Sequence, residues 1–156
     1  MKKLILVLLL CFTYTNVLYA EDTQNNIDGM IVKSSMNSVT KTMDRLEEVL
    51  KSKGITIFLR LDHAAGAQKV GNQLRPTQLL IFGNPKLGSP LMMSKQSIGI
   101  DLPLKAVAWE DAEGKVWLGY NTPDFLSKRH HINDRQKVVN KMTKVLDKFS
   151  QFATSK

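Results

Sequence analysis

Gly54-Ile-Thr-Ile-Phe-Leu-Arg-Leu-Asp62-His63 and, after an alanine-rich break, Thr77-Gln-Leu-Leu-Ile-Phe-Gly-Asn-Pro85 are the two passages on which the fold turns. Both are short, β-branched and aromatic, and each runs into a polar corner, which is how strands read. In the first, Ile55, Ile57, Leu59 and Leu61 alternate with Thr56, Phe58 and Arg60. That pattern places the first set on a core face and marks Phe58 as a sign that the second face is partly covered. The second passage is the most apolar of the chain, as expected of a strand in the centre of the sheet. Between them Asp62 can cap a helix from Ala64 to about Val70, with an Ala-Ala-Gly-Ala run small enough for close packing on the sheet.

Outward from these strands the pattern alternates. Upstream, Gly29 to Ser35 reads as a possible first strand. Val39, Met43, Leu46, Val49 and Leu50 then fall on one helical face, after Asn37 or Ser38 as cap and before Gly54 as stop. Downstream, Leu87 to Lys95 suggests a helix entered through Ser89-Pro90, and Ile98 to Pro103 a bend. Leu104–Asp111 and Lys115–Asn121 form a hairpin across Ala112-Glu113-Gly114. A short helix follows Thr122, and a last one, capped by Asn133 or Asp134, carries Val138, Val139, Met142, Val145, Leu146, Phe149 and Phe152 at helical spacing. The class is α+β: one small, mostly antiparallel sheet with helices packed on one face, in a single domain. Residues 21–37 are an N-terminal segment with the possible first strand, and 38–156 the domain proper with its C-terminal helix.

The start of the chain has a different grammar. Lys2 and Lys3 precede the apolar run Leu4 to Phe12, and Ala20 stands before Glu21-Asp22. This is the layout of a signal peptide at 1–20, cut after about Ala20, and it implies a periplasmic or secreted address. The run falls short of the about 20 apolar residues that span a bilayer, so no stable membrane insertion is expected after cleavage. Cleavage removes Cys11, the one cysteine, and with it disulfides, thiolate nucleophiles and soft thiolate metal sites. The net charge of +8 permits attraction to acidic ligands, but no basic stripe interleaved with aromatics points to nucleic acid.

Asp62-His63-Ala64, Phe82-Gly83-Asn84-Pro85, Gly88-Ser89-Pro90-Leu91-Met92, Asp101-Leu102-Pro103-Leu104-Lys105 and Trp109-Glu110-Asp111 form an ordered series. With these motifs the chain, from about Val39 to Pro123, resembles the domain-of-unknown-function family 302. The resemblance implies a compact α+β domain that forms homodimers, and it brings no established activity. Ser89 stands where the family pattern more often has threonine, and the hydroxyl is kept.

Several residues are candidates for chemistry. Asp62 beside His63 offers a carboxylate to orient an imidazole, with Lys105 as charge stabiliser, which would make a hydrolase or isomerase. The plainer account makes Asp62 a helix cap and His63 a first-turn residue. Arg60 and Lys69 could add positive charge at the same corner. Gly83-Asn84-Pro85 with Gly88-Ser89 lacks the lysine and spacing of a phosphate loop and reads as a tight turn near a pocket. Trp109 and Tyr120 on the hairpin could wall that pocket. Met92, His130 and His131 raise copper or haem binding, against core filling for Met92 and its neighbour Met93 and a solvated helix end for the histidines. No cofactor is expected. The favoured reading is a self-associating module that binds a small anionic or amphipathic ligand, or a partner, through Asp62, His63, Asn84, Ser89, Lys105, Trp109 and Tyr120, all meeting at one place.

Overall fold

The computed structural model describes residues 27–156, so the expected signal peptide and the polar stretch after it lie outside the described residues. Five strands form one sheet: β1 (Met30–Ser35), β2 (Thr56–Asp62), β3 (Thr77–Gly83), β4 (Leu104–Glu110) and β5 (Val116–Asn121). Their order is β1-β5-β4-β3-β2, and every neighbouring pair is antiparallel. The middle strand is therefore β4, and the most apolar strand, β3, lies one place off centre.

Two long helices cover one face. In α1 (Val39–Ser52) the Ser38 side chain accepts from the Lys41 N–H, and Val39, Met43, Leu46 and Leu50 are buried. Gly54 follows with φ of 67°, a conformation that glycine adopts without a steric penalty. In α5 (Gln136–Thr154) Val139, Met142, Leu146 and Phe149 are buried. These helices close over Leu80, Phe82, Ala106, Ala108, Leu118 and Tyr120 to make the main core. The other helices are α2 (His63–Lys69), α3 (Pro85–Ser94) and α4 (Pro123–Arg129), with a 3₁₀ turn at Gln96–Ile100 where the sequence suggested a bend. Ile98 of that turn is buried in a second cluster with Leu91, Leu126, Ile132, Val139 and Met142.

Local physics overrides several expectations. The register of β2 on β3 slips between Ile57 and Leu59. This bulge at Phe58 inserts one extra residue and inverts the alternation beyond it. Ile57 faces the core opposite Phe82, but so does Arg60, opposite Leu80, while Leu59 and Leu61 pair with Ile81 and Leu79 on the other face. Leu59 and Leu61 are 48% and 40% exposed there, and Phe58 is exposed as well, so this is not the core row that simple alternation implies.

Helix α2 buries none of its residues, and a Cβ on Gly66 would meet nothing within 4 Å, so its small residues serve no close packing. Helix α3 starts earlier than Ser89-Pro90 suggests: the Asn84 side chain accepts from the Lys86 N–H, Pro85 fills the first turn, and Pro90 sits inside the helix. Helix α5 has Arg135, not Asn133 or Asp134, at its cap position, with no side-chain cap. Asp134 is instead held by Ser94, whose hydroxyl donates to Oδ1 at 2.6 Å.

Candidate functional site

Where β3 ends, the chain has little side chain to offer. Gly83 closes the strand, Asn84 caps α3, and Gly88 comes one turn into that helix. The space left open is a pocket of about 270 Å³ between the start of α3, the Leu102-Pro103 segment and α5. Its walls include Phe58, Leu87, Met92, Pro103, Leu146 and Phe149. They come from both hydrophobic clusters, so the pocket lies at the seam between them. Asn84 and Ser89 are the polar residues of the lining. The Asn84 carboxamide oxygen is committed to the Lys86 N–H at 2.9 Å, whereas Ser89 makes no side-chain hydrogen bond among the described residues.

Lys105 supports this site from behind. Its Nζ donates to the carbonyls of Asp101 and Pro103 at 3.2 and 3.0 Å, which ties down the wall segment and directs the ammonium at backbone. Met92 lines the pocket, and Met93 beside it is 81% exposed, so only the first of the two methionines packs as filler.

Asp62 and His63 lie elsewhere. Asp62 accepts from the Ala65 N–H at 2.8 Å and from Gln78 Nε2 at 3.4 Å, which is cap chemistry. His63 opens α2, exposed. Asp62 pairs with Gln78, while Gly83, just before Asn84, pairs with Thr56. The two polar corners are thus separated by the length of β2, about 20 Å at 3.3 Å per residue. The cause is topological: both corners follow the C-terminal ends of their strands, and adjacent antiparallel strands end on opposite sides of the sheet. The expected convergence does not occur.

Trp109 pairs with Thr77, at the Asp62 end, and lines a separate hollow with Met30, Leu74 and Val107. Tyr120 points into the main core, 4% exposed, and its hydroxyl accepts from Ser150 at 3.5 Å. The two rings therefore lie on opposite faces and share no wall. Arg60 is also drawn away, to Asp44 at 2.6 Å, Gln78 and the Thr40 carbonyl, and Lys69 stays on the exposed end of α2.

One arrangement had no local signature. His130, at the C-terminal cap of α4, is not a solvated helix end: its side chain is 9% exposed and its Nε2 lies 2.6 Å from Asp101 Oδ2. Its Nδ1 lies 3.0 Å from Ser97 Oγ, and Arg129 reaches the other Asp101 oxygen at 3.3 Å. Nothing in the spacing of Ser97, Asp101 and His130 signals contact, because the fold alone brings α4 beside the 3₁₀ turn. His131 is exposed with φ of 54° and takes no part. Among the described residues no group of three or more His, Cys, Asp and Glu side chains comes together.

Two carboxyls titrate below their ordinary range. Asp134 is held down by the Ser94 hydroxyl, and Asp111 by the indole N–H of Trp117 at 2.6 Å with the Lys115 and Glu113 backbone amides. Both are structural and stand away from the pocket lining.

The chain is 48% identical over 104 residues to a Brucella suis protein named fluoride-specific ion channel FluC 1, a match that covers 67% of this chain and 41% of that one. A Brucella abortus protein of the same name matches equally, with 38% of its length covered, so the chain spans about two-fifths of these curated relatives. The crystal structure of an uncharacterized conserved protein DUF302 from Bacillus stearothermophilus superposes with a TM-score of 0.65, at 20% identity, over 82% of this chain and 97% of that one. The family described as domain of unknown function DUF302 matches residues 30–149, from the first strand into the last helix, and the chain belongs to that family.

Proposed function

We propose that this chain is an exported, self-associating binding module that takes the aliphatic part of a small amphipathic molecule in the pocket beside α3. The observation that carries this reading is the pocket itself: about 270 Å³, walled by apolar side chains, with Ser89 as a hydroxyl left for a polar head. An apolar cavity of about 150 Å³ already binds benzene, so this one takes a longer chain. Burying about eight methylenes at about 0.8 kcal/mol each is worth about 6 kcal/mol, a dissociation constant on the order of tens of micromolar. The lining favours an amphipath over a purely anionic ligand, since Lys105 is spent on carbonyls.

Calorimetric titration with decanoate and with decanol tests this. Gly88→Leu is the informative variant: a Cβ there meets only Leu102, at 3.6 Å, so the helix accepts it and the longer side chain fills the pocket. Binding at least tenfold weaker, with an undiminished melting temperature, is the expected result. A folded wild type that binds neither probe at millimolar concentration overturns the reading.

Self-association is supported by the sheet face opposite the helices, where exposed Leu59 and Leu61 adjoin half-buried Leu79, Ile81 and Val107. Sedimentation velocity should show a dimer that Leu61→Lys shifts to monomer, and a monomeric wild type removes that part. The Brucella matches favour a partner class. More than half of each channel-named relative lies outside the matched region, which supports a membrane channel as partner for modules of this kind. Export itself is checked by whether Ala20 is the last residue removed from secreted material.

A further inference from the structure

We propose that Ser97, His130 and Asp101 form a second site, a nucleophile, base and orienting acid that hydrolyse small carboxylic esters with apolar acyl groups. The distances give the roles. A carboxylate only accepts, so His130 Nε2–H donates to Asp101 Oδ2 at 2.6 Å. In the neutral ring that leaves Nδ1 as acceptor, and the Ser97 hydroxyl donates to it across 3.0 Å. Nucleophile to base to orienting group, each within hydrogen-bond reach, is the recurring arrangement of covalent acyl transfer, whatever fold carries it.

The three side chains are held by a packed support. Ile98, next to Ser97, is fully buried. Asp101 closes the 3₁₀ turn with its N–H on the Ile98 carbonyl, and the His130 N–H bonds to the carbonyl of buried Leu126. Burial is graded as catalysis requires. His130 and Asp101 keep 9% and 13% of their side-chain exposure, whereas Ser97 is exposed to an incoming substrate. A mere latch between α4 and the turn would need only the His130–Asp101 pair, and the placement of an exposed hydroxyl on the remaining ring nitrogen is what it leaves unexplained.

Side chains three apart in a 3₁₀ turn eclipse one another, so Ile100, 74% exposed, stands over the same face as Ser97 and offers an apolar rest for an acyl group. Arg129, on the same carboxylate, adds positive charge to the cluster. In the reaction Ser97 Oγ attacks the ester carbonyl carbon as its proton passes to His130 Nδ1. Collapse breaks the carbon–alkoxide bond, and the leaving alcohol takes that proton. Water then attacks the acyl-serine, giving its proton to Nδ1, and collapse returns the proton to Ser97 and releases the acid. Ester and water become acid and alcohol, with no other reactant. Asp101 acts here as a positioning residue.

A fluorophosphonate probe on the folded full chain, with adducts mapped by mass spectrometry, decides the matter alongside hydrolysis of p-nitrophenyl butyrate. The expected result is one adduct, on Ser97, absent in Ser97→Ala. His130→Gln should slow labelling about a hundredfold, within the range general-base catalysis supplies. The wild-type rate should fall on acidification, the His130→Gln rate should stay flat, and Asp101→Glu should recover part of what Asp101→Asn loses. No adduct on folded wild type, an adduct elsewhere, or an unchanged rate in His130→Gln overturns the proposal. Should His130→Gln unfold, equal labelling of Ser97 in native and heat-unfolded wild type overturns it, and native-only labelling sustains it.

Discussion

Asp111 shows how much one half-buried carboxylate can organise. Its Oδ1 accepts from the Glu113 and Lys115 amides at 3.1 and 2.8 Å, and its Oδ2 from the indole of Trp117, so the β4–β5 turn and the ring are fixed together. Because the Trp117 hydrogen bond lowers its pKa in the fold, Asp111 binds its proton later than in the unfolded chain. Its stabilisation is complete above the unfolded value, about 3.9, and is lost as pH falls through the lower folded one. In a Trp109→Phe background, Trp117 emission should hold down to the ordinary carboxylate range and change only below it. Asp111→Asn should abolish that acid step, and an identical profile in both proteins would contradict the assignment. Gly29 is constrained more rigidly. It has φ of 75°, and a Cβ would lie 2.2 Å from the Phe125 ring. Gly29→Ala combines a left-handed backbone with overpacking and should cost on the order of 2–3 kcal/mol in denaturant unfolding.

Among the elements, β2 departs furthest from its own pattern. Its single extra residue at Phe58 lets Arg60 reach α1 from the core side of the sheet and sends Leu59 and Leu61 to the open face. The bulge therefore creates both a strand-to-helix tie and the apolar surface proposed for self-association. Phe58 itself is 56% exposed, so Phe58→Ser should cost about 1 kcal/mol or less. Deleting Phe58 removes the extra residue while Arg60 stays opposite Leu80 on the core side, so the Arg60–Asp44 pair should survive and the cost should again be about 1 kcal/mol or less. A loss above about 4 kcal/mol on deletion would mean that the fold requires the bulge itself.

At the scale of the molecule, the two hydrophobic clusters are bridged by Leu104, which packs against both. Unfolding should accordingly be one calorimetric transition, with the van't Hoff and calorimetric enthalpies equal, and two resolved peaks would separate the clusters. Much of this architecture was legible beforehand, because it is decided by neighbours in the chain. Ser38 and Thr122 as caps, Gly54 and Gly114 at positive φ, and the helical stripes of α1 and α5 all rest on short-range sterics and hydrogen bonds. The series of motifs from Asp62 to Asp111 likewise identified the family. What depended on how strands pair was not legible. Alternation cannot reveal a bulge, and a strand end does not state which side of the sheet it faces. Antiparallel pairing separated Asp62 from Asn84, while the packing of α4 on the 3₁₀ turn joined His130 to Asp101 across 29 positions that no spacing rule connects. Local order is written in adjacent residues, but a site is made by contacts between distant ones, and only the folded chain selects those.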